Sequence, residues 1–377
     1  MTKEKLVVIE QASKIPNSRI TDRGAEVIGR IYGVLGRLYE GTGIELSIGW
    51  LNDFHLRACA YEPETGNHKI EISYGLVIWL YHQAHIFTAI AETEYFKKEY
   101  GWAFSGIHSG SANLLPLGTT AAQCCDLMFD TVLEWVFMHE LAHHAQSHLK
   151  IRSAHSSTSS VEIVDEAYVV GAPLPIGREA AISHATEIAA DHEAIVHLLP
   201  YRAYGNKDGL LPKTEVFMLV CGLVCLFNKF NGSSTNFPSP VPVGSHPHPA
   251  VRFSLARSAI MGVLSHPDFI TRNAPWALDN ENTFLMIGDA YTLGAIIGFE
   301  LDGRSAAESM AFVQSTNIEN RPDTKAYLGT MFSTLQELKP EIEREYIFPL
   351  APKLPIITKD WENLIGTDSD WAPNSIV

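Results

Sequence analysis

The stretch WVFMHELAHHAQSHL, residues 135–149, most constrains the fold, because it sets five titratable side chains into an apolar pattern with helical spacing. Burying histidine and glutamate in apolar surroundings costs free energy unless partner groups or a metal ion compensate for the lost water. The sequence therefore predicts a buried helix over residues 126–149, with one apolar face, that carries a polar site. The five side chains are His139, Glu140, His143, His144 and His148.

Residues 139–143 spell HExxH, in which two histidines lie one helical turn apart. Because residues i and i+4 of a helix lie about 40° apart around its axis, His139 and His143 are predicted to bind one metal ion. Glu140 lies about 100° round the axis, where it can reach a water molecule on that ion. Two neutral imidazoles leave a zinc ion positive enough to lower the pKa of bound water, and a carboxylate can accept the proton.

A zinc site of this kind needs a third protein ligand. The metzincin pattern HExxHxxGxxH fails, because Gln146 replaces its glycine and His148 comes one residue before its last histidine. Glu187 and Asp191, four residues apart in TEIAADHEA, share one face of a later predicted helix. The pattern favours Glu187 as the third ligand and Asp191 as the group that fixes the tautomer of a ligand imidazole. The competing candidates for the ligand position are His148, His184 and His192.

HELAH followed by EIAAD resembles the gluzincin metallopeptidases, in particular the HtpX group, whose catalytic domains pair HExxH on one helix with ExxxD on a later one. Those families carry HPPxxxR after ExxxD, and residues 246–252 keep its His, Pro and Arg at the same spacing. The resemblance implies that His246 and Arg252 face the zinc cleft and stabilise an oxyanion. The alternative for this segment is an ordinary Pro-rich loop that leads into a helix with a surface arginine.

The same resemblance implies a strand beside the HExxH helix. Residues 66–75 alternate, with Ile70 and Ile72 on one side, directly before a helical pattern. Related catalytic domains use such an edge strand to pair with an extended substrate, and a plain core strand is the alternative. The resemblance covers residues 66–258.

The HtpX-type enzymes are membrane proteins with several spanning helices, which this chain is not expected to have. Its longest uninterrupted apolar run, residues 216–227, covers only about half of a bilayer core and is predicted to be a buried helix. Soluble bacterial peptidases of this broad kind include the Lit-type phage-exclusion peptidases, to which the motifs do not assign this chain.

Composition limits the partners and the compartment. Acidic residues outnumber basic ones by 43 to 28, for a formal net charge of −15, which disfavours nucleic acid and permits a basic protein or peptide substrate. Five cysteines, an odd number within mostly apolar runs, predict reduced, buried thiols. With no signal-peptide pattern, the chain is expected to be cytoplasmic.

The predicted fold is α+β and mainly helical, with a zincin-like core, a small sheet beside the HExxH helix and extra C-terminal helices. We divide the chain into residues 1–65 with a helix and strands, the catalytic domain 66–270, and a helical extension 271–377 with a Pro-rich tail. The loop 231–249 is assigned to the rim of the active site. Beyond residue 273 two further helices are predicted, around residues 305–317 and 323–338.

The predicted function is that of a soluble zinc-dependent metalloendopeptidase, with Glu140 as general base and then as proton donor to the leaving amine. The alternative is a zinc-stabilised binding or regulatory protein without activity. A fourth protein ligand, such as His148 or His184, would favour this alternative over the enzyme, because structural zinc sites fill every coordination position with protein. Nothing in the sequence specifies the substrate or the oligomeric state.

Overall fold

The computed structural model describes residues 3–101, 114–155, 163–165, 175–230, 240–315 and 322–347, which form a mainly helical fold with one small sheet, as predicted. The helices up to the HExxH motif are α1 (Lys3–Ser13), α2 (Asn17–Leu35), α3 (Tyr74–Ala91), α4 (Glu94–Tyr100) and α5 (Ala121–Ala145). The later helices are α6 (His148–His155), α7 (Arg178–Gly205), α8 (Lys213–Phe230), α9 (Pro249–Ser265), α10 (Pro267–Arg272), α11 (Asn280–Leu301), α12 (Ala306–Ser315) and α13 (Pro322–Glu345). The strands are β1 (Glu45–Leu51), β2 (Ala58–Glu64), β3 (Asn67–Ser73) and β4 (Ile163–Asp165).

Helix α5 lies at the centre of the fold, because α3, α7 and α8 all pack directly on it. Every residue of α5 from Met128 to Ala145 is buried. The sequence pattern predicts one buried face. In the structure every face of this part of α5 is buried, because a helix surrounded by other helices has no side that faces solvent. The polar side chains of α5 therefore have to find partners inside the protein.

The ends of α5 differ from the predicted ends. The helix begins at Ala121, where Thr120 and Gln123 form a capping box: the Thr120 hydroxyl accepts from the Gln123 amide at 3.2 Å and the Gln123 side chain accepts from the Thr120 amide at 2.9 Å. It ends at Ala145 rather than at residue 149. Ser147 has a φ of 53°, a left-handed conformation that interrupts the helix before α6 begins.

The sheet has the order β1-β3-β2-β4, with β3 parallel to β1 and antiparallel to β2. Ile70 and Ile72 of β3 are buried, as the alternation predicts. Strands β2 and β3 both contact α5, which places the sheet beside the HExxH helix. Because both edges of β3 are already hydrogen-bonded, the prediction that this strand is an edge that pairs with substrate is wrong. The plain core strand is the correct alternative.

A tight junction leads from β3 into α3, in agreement with the predicted strand directly before a helix. Ser73 caps α3, since its hydroxyl accepts from the Leu76 amide at 3.0 Å and donates to the His55 carbonyl at 2.6 Å. A side chain at Gly75 would place a Cβ 2.3 Å from the Phe54 carbonyl oxygen, so only glycine fits. The junction fixes the sheet against the helical layer.

Ion pairs to the buried carboxylates of Asp130 and Glu134 join α5 to its neighbours at the end away from the histidines. Arg23 of α2 donates to Asp130 at 2.7 Å, and Arg30 of α2 donates to Glu134 at 2.8 Å. Arg202 of α7 lies 3.3 Å from Glu134 and donates to Glu215 of α8 at 2.5 Å. Because opposite charges stand together in this network, the three helices α2, α7 and α8 are held at defined positions around α5.

The region after residue 213 is more helical than predicted. Helix α8 is buried, as expected for its apolar run, and α11 packs along it with a close approach at Gly294, where an added Cβ would lie 3.0 Å from the Cys221 carbonyl oxygen. Helix α11 was not predicted. By length and composition α11 could cross a membrane, and 61% of its apolar window is buried inside the protein. All five cysteines are buried, and none forms a disulfide, as predicted.

Both predicted C-terminal helices are present as α12 and α13. Helix α13 packs on α6 and α7, and its last residues reach the break after α5, where the Ile347 amide donates to the Ala145 carbonyl at 3.0 Å. Residues 240–248 form a loop that leads into α9. The predicted Pro-rich tail, residues 348–377, and residues 231–239 of the predicted rim loop lie outside the described residues.

Candidate metal centre

The packing of α5 against α7 brings together three side chains that could hold a metal ion: His139 and His143 of α5 and Glu187 of α7. All three are buried, and one ligand atom from each lies within 4.8 Å of the other two. The two histidines share one face of α5 through their i, i+4 spacing, and that face meets the turn of α7 that carries Glu187. The same three residues were predicted as ligands.

The distances between the donor atoms are close to those that a small divalent cation needs. The Nε2 atoms of His139 and His143 lie 3.0 Å apart, His139 Nε2 lies 3.3 Å from Glu187 Oε2, and His143 Nε2 lies 3.5 Å from Glu187 Oε1. Metal–ligand bonds of 2.0–2.2 Å in a tetrahedron set donor atoms about 3.3–3.5 Å apart. The two distances to Glu187 fall in this range and the distance between the histidine nitrogens is shorter, so a cation fits once the two rings move slightly apart.

Asp191 and Arg252 lie behind His139. Asp191 Oδ1 is 2.9 Å from His139 Nδ1, a contact that requires the imidazole proton on Nδ1 and leaves the Nε2 lone pair for a metal ion. Arg252 of α9 donates two hydrogen bonds to the Asp191 carboxylate, of 2.8 Å and 2.7 Å. Asp191 is thus placed as the sequence predicts for a group that fixes the tautomer of a ligand imidazole.

His148, at the start of α6, lies behind His143. The Nδ1 atoms of the two rings are 2.8 Å apart, so one ring donates to the other. If His143 uses Nε2 for a metal ion, its proton is on Nδ1 and His148 accepts it. Burial lowers the pKa of His148 well below its ordinary value, and the nearby Arg152 charge lowers it further, which keeps the ring neutral and able to accept.

Arg152, also on α6, pairs with Glu187. Its Nη2 donates to Glu187 Oε1 at 2.5 Å, its Nε donates to Thr186 Oγ1 at 2.7 Å, and it is buried. Burial by itself would raise the pKa of Glu187, but its interactions with His246, His143 and the Arg152 guanidinium outweigh burial and hold that pKa well below its ordinary value. Glu187 is therefore ionised, with Oε2 directed at the histidines.

The predicted general base, Glu140, is fully buried on α5. It follows His139 directly, so its side chain leaves the helix about 100° round the axis from that ligand. The carboxylate is thus held inside the protein on the residue that follows one proposed ligand, where water is scarce and an electrostatic interaction is strong.

The structure brings His246 to the site and gives Arg252 different contacts from those predicted. His246 Nε2 lies 3.7 Å from Glu187 Oε2, and its Nδ1 lies 2.8 Å from the Ser245 hydroxyl. Arg252 was expected to face the cleft, or to lie at the surface. Instead it is buried against Asp191, with its Nη2 3.8 Å from Glu187 Oε2. Its position favours holding Asp191, and an oxyanion-stabilising role for either residue stays a prediction.

The other candidate ligands point elsewhere. His184 Nε2 lies 3.0 Å from the Gly244 carbonyl oxygen and must donate to it, while its Nδ1 lies 2.7 Å from the Tyr327 hydroxyl. His192 is buried near the neighbouring Glu193 and outside the ligand cluster. Among the described residues, no fourth side chain joins His139, His143 and Glu187.

The roles of two residues were not predicted, although the sequence contains one signal for them. His148 was considered only as a ligand, and Arg152 was not considered. The two lie four residues apart, the spacing that puts side chains on one face of a helix. That signal becomes useful only when the break at Ser147 is known, since a continuous α5 would direct this face away from the ligands.

No protein-family model, curated protein or solved structure matches the chain. The candidate site therefore rests on its own geometry and chemistry. A cluster of two histidines and a glutamate shows where a metal ion could bind, without naming the ion or a family.

Buried histidines should make the stability depend on pH. Burial lowers the pKa of His144 and of His184 to about 3 and that of His192 to about 4, against about 6.5 in the unfolded chain. Below about pH 6.5 the unfolded chain therefore binds more protons than the folded one, and stability falls as the pH falls. We expect a loss of about 1.4 kcal/mol per pH unit for each histidine between about pH 6 and pH 4.5.

Denaturant titrations of the metal-free protein across this pH range, in a chelator, would measure the loss. His192→Phe should reduce the slope, because it removes one of the titrating rings. A free energy of unfolding that stays constant from neutral pH to pH 5 would contradict the assignment of these rings as neutral.

Proposed function

We propose that the protein is a zinc-dependent metalloendopeptidase of gluzincin type. The observation that carries the proposal is the meeting of the two motifs: HExxH on α5 supplies His139 and His143, ExxxD on α7 supplies Glu187, and their donor atoms lie close to the spacing of a tetrahedral metal site. The resemblance to the HtpX-type catalytic domain supports the zincin-like core. Cytoplasmic location and a protein or peptide substrate stay predictions.

Zinc is the metal that the donor set favours, since two imidazoles and one carboxylate form the ligand set of many zinc hydrolases. When bound, zinc would polarise a substrate carbonyl and lower the pKa of a coordinated water toward neutrality. Glu187 contributes one negative charge and the two imidazoles contribute none, so the site keeps a positive charge for this chemistry.

Glu140 would move the proton. Its carboxylate, buried beside the ligands, accepts a proton from the attacking water and then passes it to the amine that leaves. His246, which is partly exposed and lies 3.7 Å from Glu187, is the better placed of the two predicted groups to donate to a developing oxyanion. Arg252 would act indirectly, by holding Asp191 against His139.

The absence of a fourth ligand among the described residues favours the enzyme over a zinc-stabilised binding protein. His148 and His184 are the two side chains that the sequence offers as examples of a fourth ligand. The first contacts the Nδ1 atom of His143, and the second contacts Tyr327 and the Gly244 carbonyl. A structural site would fill the remaining position with protein, whereas a catalytic site leaves it for water or substrate.

Metal analysis of purified protein tests the proposal. We expect one zinc per chain in the wild type and a loss of zinc in Glu187→Ala, because two imidazoles alone bind a metal ion weakly. Glu193→Ala is the matched control: Glu193 is a carboxylate on the same helix that pairs with His197 and Tyr346, and its removal should leave the zinc content unchanged.

The proposed enzymatic function would be wrong if wild-type protein, prepared without chelators, contained no stoichiometric metal. Equal loss of zinc in both variants would assign the loss to unfolding, which circular dichroism would detect independently. Full zinc content with no cleavage of any peptide would favour the binding or regulatory protein.

A further inference from the structure

Helix α6 returns to the metal centre because of the break that precedes it. Ser147 takes a left-handed conformation, with φ of 53°, and the Ser147 amide donates to the His144 carbonyl at 3.0 Å, which closes a turn after α5. His148 and Arg152 then lie on one face of the new helix, four residues apart, and both are buried. One short helix thus presents two polar side chains to two different ligand residues.

The contact from His148 defines which nitrogen of His143 is left for a metal ion. Its ring packs edge-on against His143, with ring centres 4.9 Å apart and an interplanar angle of 70°. This orientation aims Nδ1 of one ring at Nδ1 of the other. A neutral His148 that accepts the His143 proton leaves Nε2 of His143 without a proton, as metal binding requires.

The contact from Arg152 gives the two carboxylate oxygens of Glu187 different partners. Oε1 accepts the guanidinium hydrogen bond, whereas Oε2 faces His139 Nε2 at 3.3 Å. Thr186 and the Ser183 carbonyl also accept from Arg152 and hold it in place. With Oε1 engaged by Arg152, Oε2 is the Glu187 oxygen that is better placed to bind a cation.

We propose that α6 is a positioning element for the metal centre: His148 sets the tautomer of His143, and Arg152 restricts Glu187 to one metal-binding oxygen, which keeps a coordination position open. The inference rests on the metal site of the proposed function and not on its peptidase reaction. Metal binding without any substrate tests it, so its failure and the failure of the peptidase proposal can be told apart.

His148→Phe keeps a ring of similar size and removes the acceptor. We expect zinc affinity, measured by competition with a chelator, to fall by about 10–100-fold, the usual cost of losing a group that orients a metal-binding histidine. His148→Asn, whose amide oxygen can accept the same proton, should recover part of the affinity. Unchanged affinity in His148→Phe would overturn the role of His148.

Arg152→Met should act in the opposite direction, because it frees the second oxygen of Glu187 and removes a positive charge beside the cation. We expect zinc and cobalt to bind about tenfold more tightly than in the wild type, with a larger rise in melting temperature on metal addition. The visible spectrum of the cobalt-loaded variant should change, since the second oxygen enters the coordination sphere. An unchanged cobalt spectrum or a weaker affinity would overturn the role of Arg152.

Arg202→Met is the matched control, since Arg202 is also a largely buried arginine that pairs with glutamates. This variant should lose stability, while its metal affinity and its cobalt spectrum stay those of the wild type. If Arg202→Met changed both in the same way as Arg152→Met, the effect would come from general loosening of the fold and the proposal would fail.

Discussion

Glu140→Gln is expected to abolish peptide hydrolysis while the protein keeps its zinc. The substitution preserves size and removes the group that accepts a proton, and proton transfer by a positioned side chain typically contributes about 10²–10⁴-fold to a rate. We expect a loss of about a thousandfold in kcat, with little change in metal content, because Glu140 is outside the cluster of His139, His143 and Glu187. Cleavage of a mixture of unstructured peptides, with new termini detected by mass spectrometry, measures the effect.

The matched control for this prediction is Glu193→Gln. Glu193 is a half-buried glutamate of α7 that pairs with His197 at 2.9 Å and lies outside the metal cluster, so this variant should keep its activity. Full activity in Glu140→Gln would show that the proton goes to another group and would reject the mechanism. Loss of zinc in Glu140→Gln would assign a structural role to the carboxylate.

Local patterns predicted most of the elements because their signals lie within a few neighbouring residues. The alternation around Ile70 and Ile72 predicted β3, and the helical spacing of apolar residues predicted α2, α7 and α8. The start of α5 was placed too late because the Thr120–Gln123 capping box was overlooked, although the sequence contains it. The end of α5 could not be found in this way, because serine rarely adopts a left-handed conformation.

Non-local features were predicted less well. The position of β3 inside the sheet depends on its pairing with β1 and β2, and no pattern within β3 records which strands lie beside it. The four residues of the two spaced motifs came together as expected, since i, i+4 spacing is local and only the packing of α5 on α7 had to be assumed. Arg152 and the contacts of Arg252 depend on where α6 and α9 turn, which sequence spacing does not record.

Arg252→Met is expected to destabilise the metal-free protein by about 3–5 kcal/mol, the usual effect of removing one partner of a buried ion pair. The Arg252 guanidinium is buried, donates to both oxygens of Asp191 at 2.7 Å and 2.8 Å, and lies over the Phe227 ring at 4.6 Å. Without it, the Asp191 carboxylate would remain in the protein interior close to the ionised Glu187. Denaturant unfolding in a chelator measures the loss without any contribution from bound metal.

Adding Asp191→Asn to Arg252→Met should recover much of the lost stability, because the second change removes the charge that the first leaves uncompensated. Lys150→Met is the control at the surface: Lys150 lies 2.6 Å from Glu345 but is largely exposed, so its loss should cost less than about 1 kcal/mol. If the double variant were as unstable as the sum of its single changes, the two side chains would not be coupled. Arg252 would then stabilise the fold through packing on Phe227 rather than by holding Asp191 against His139.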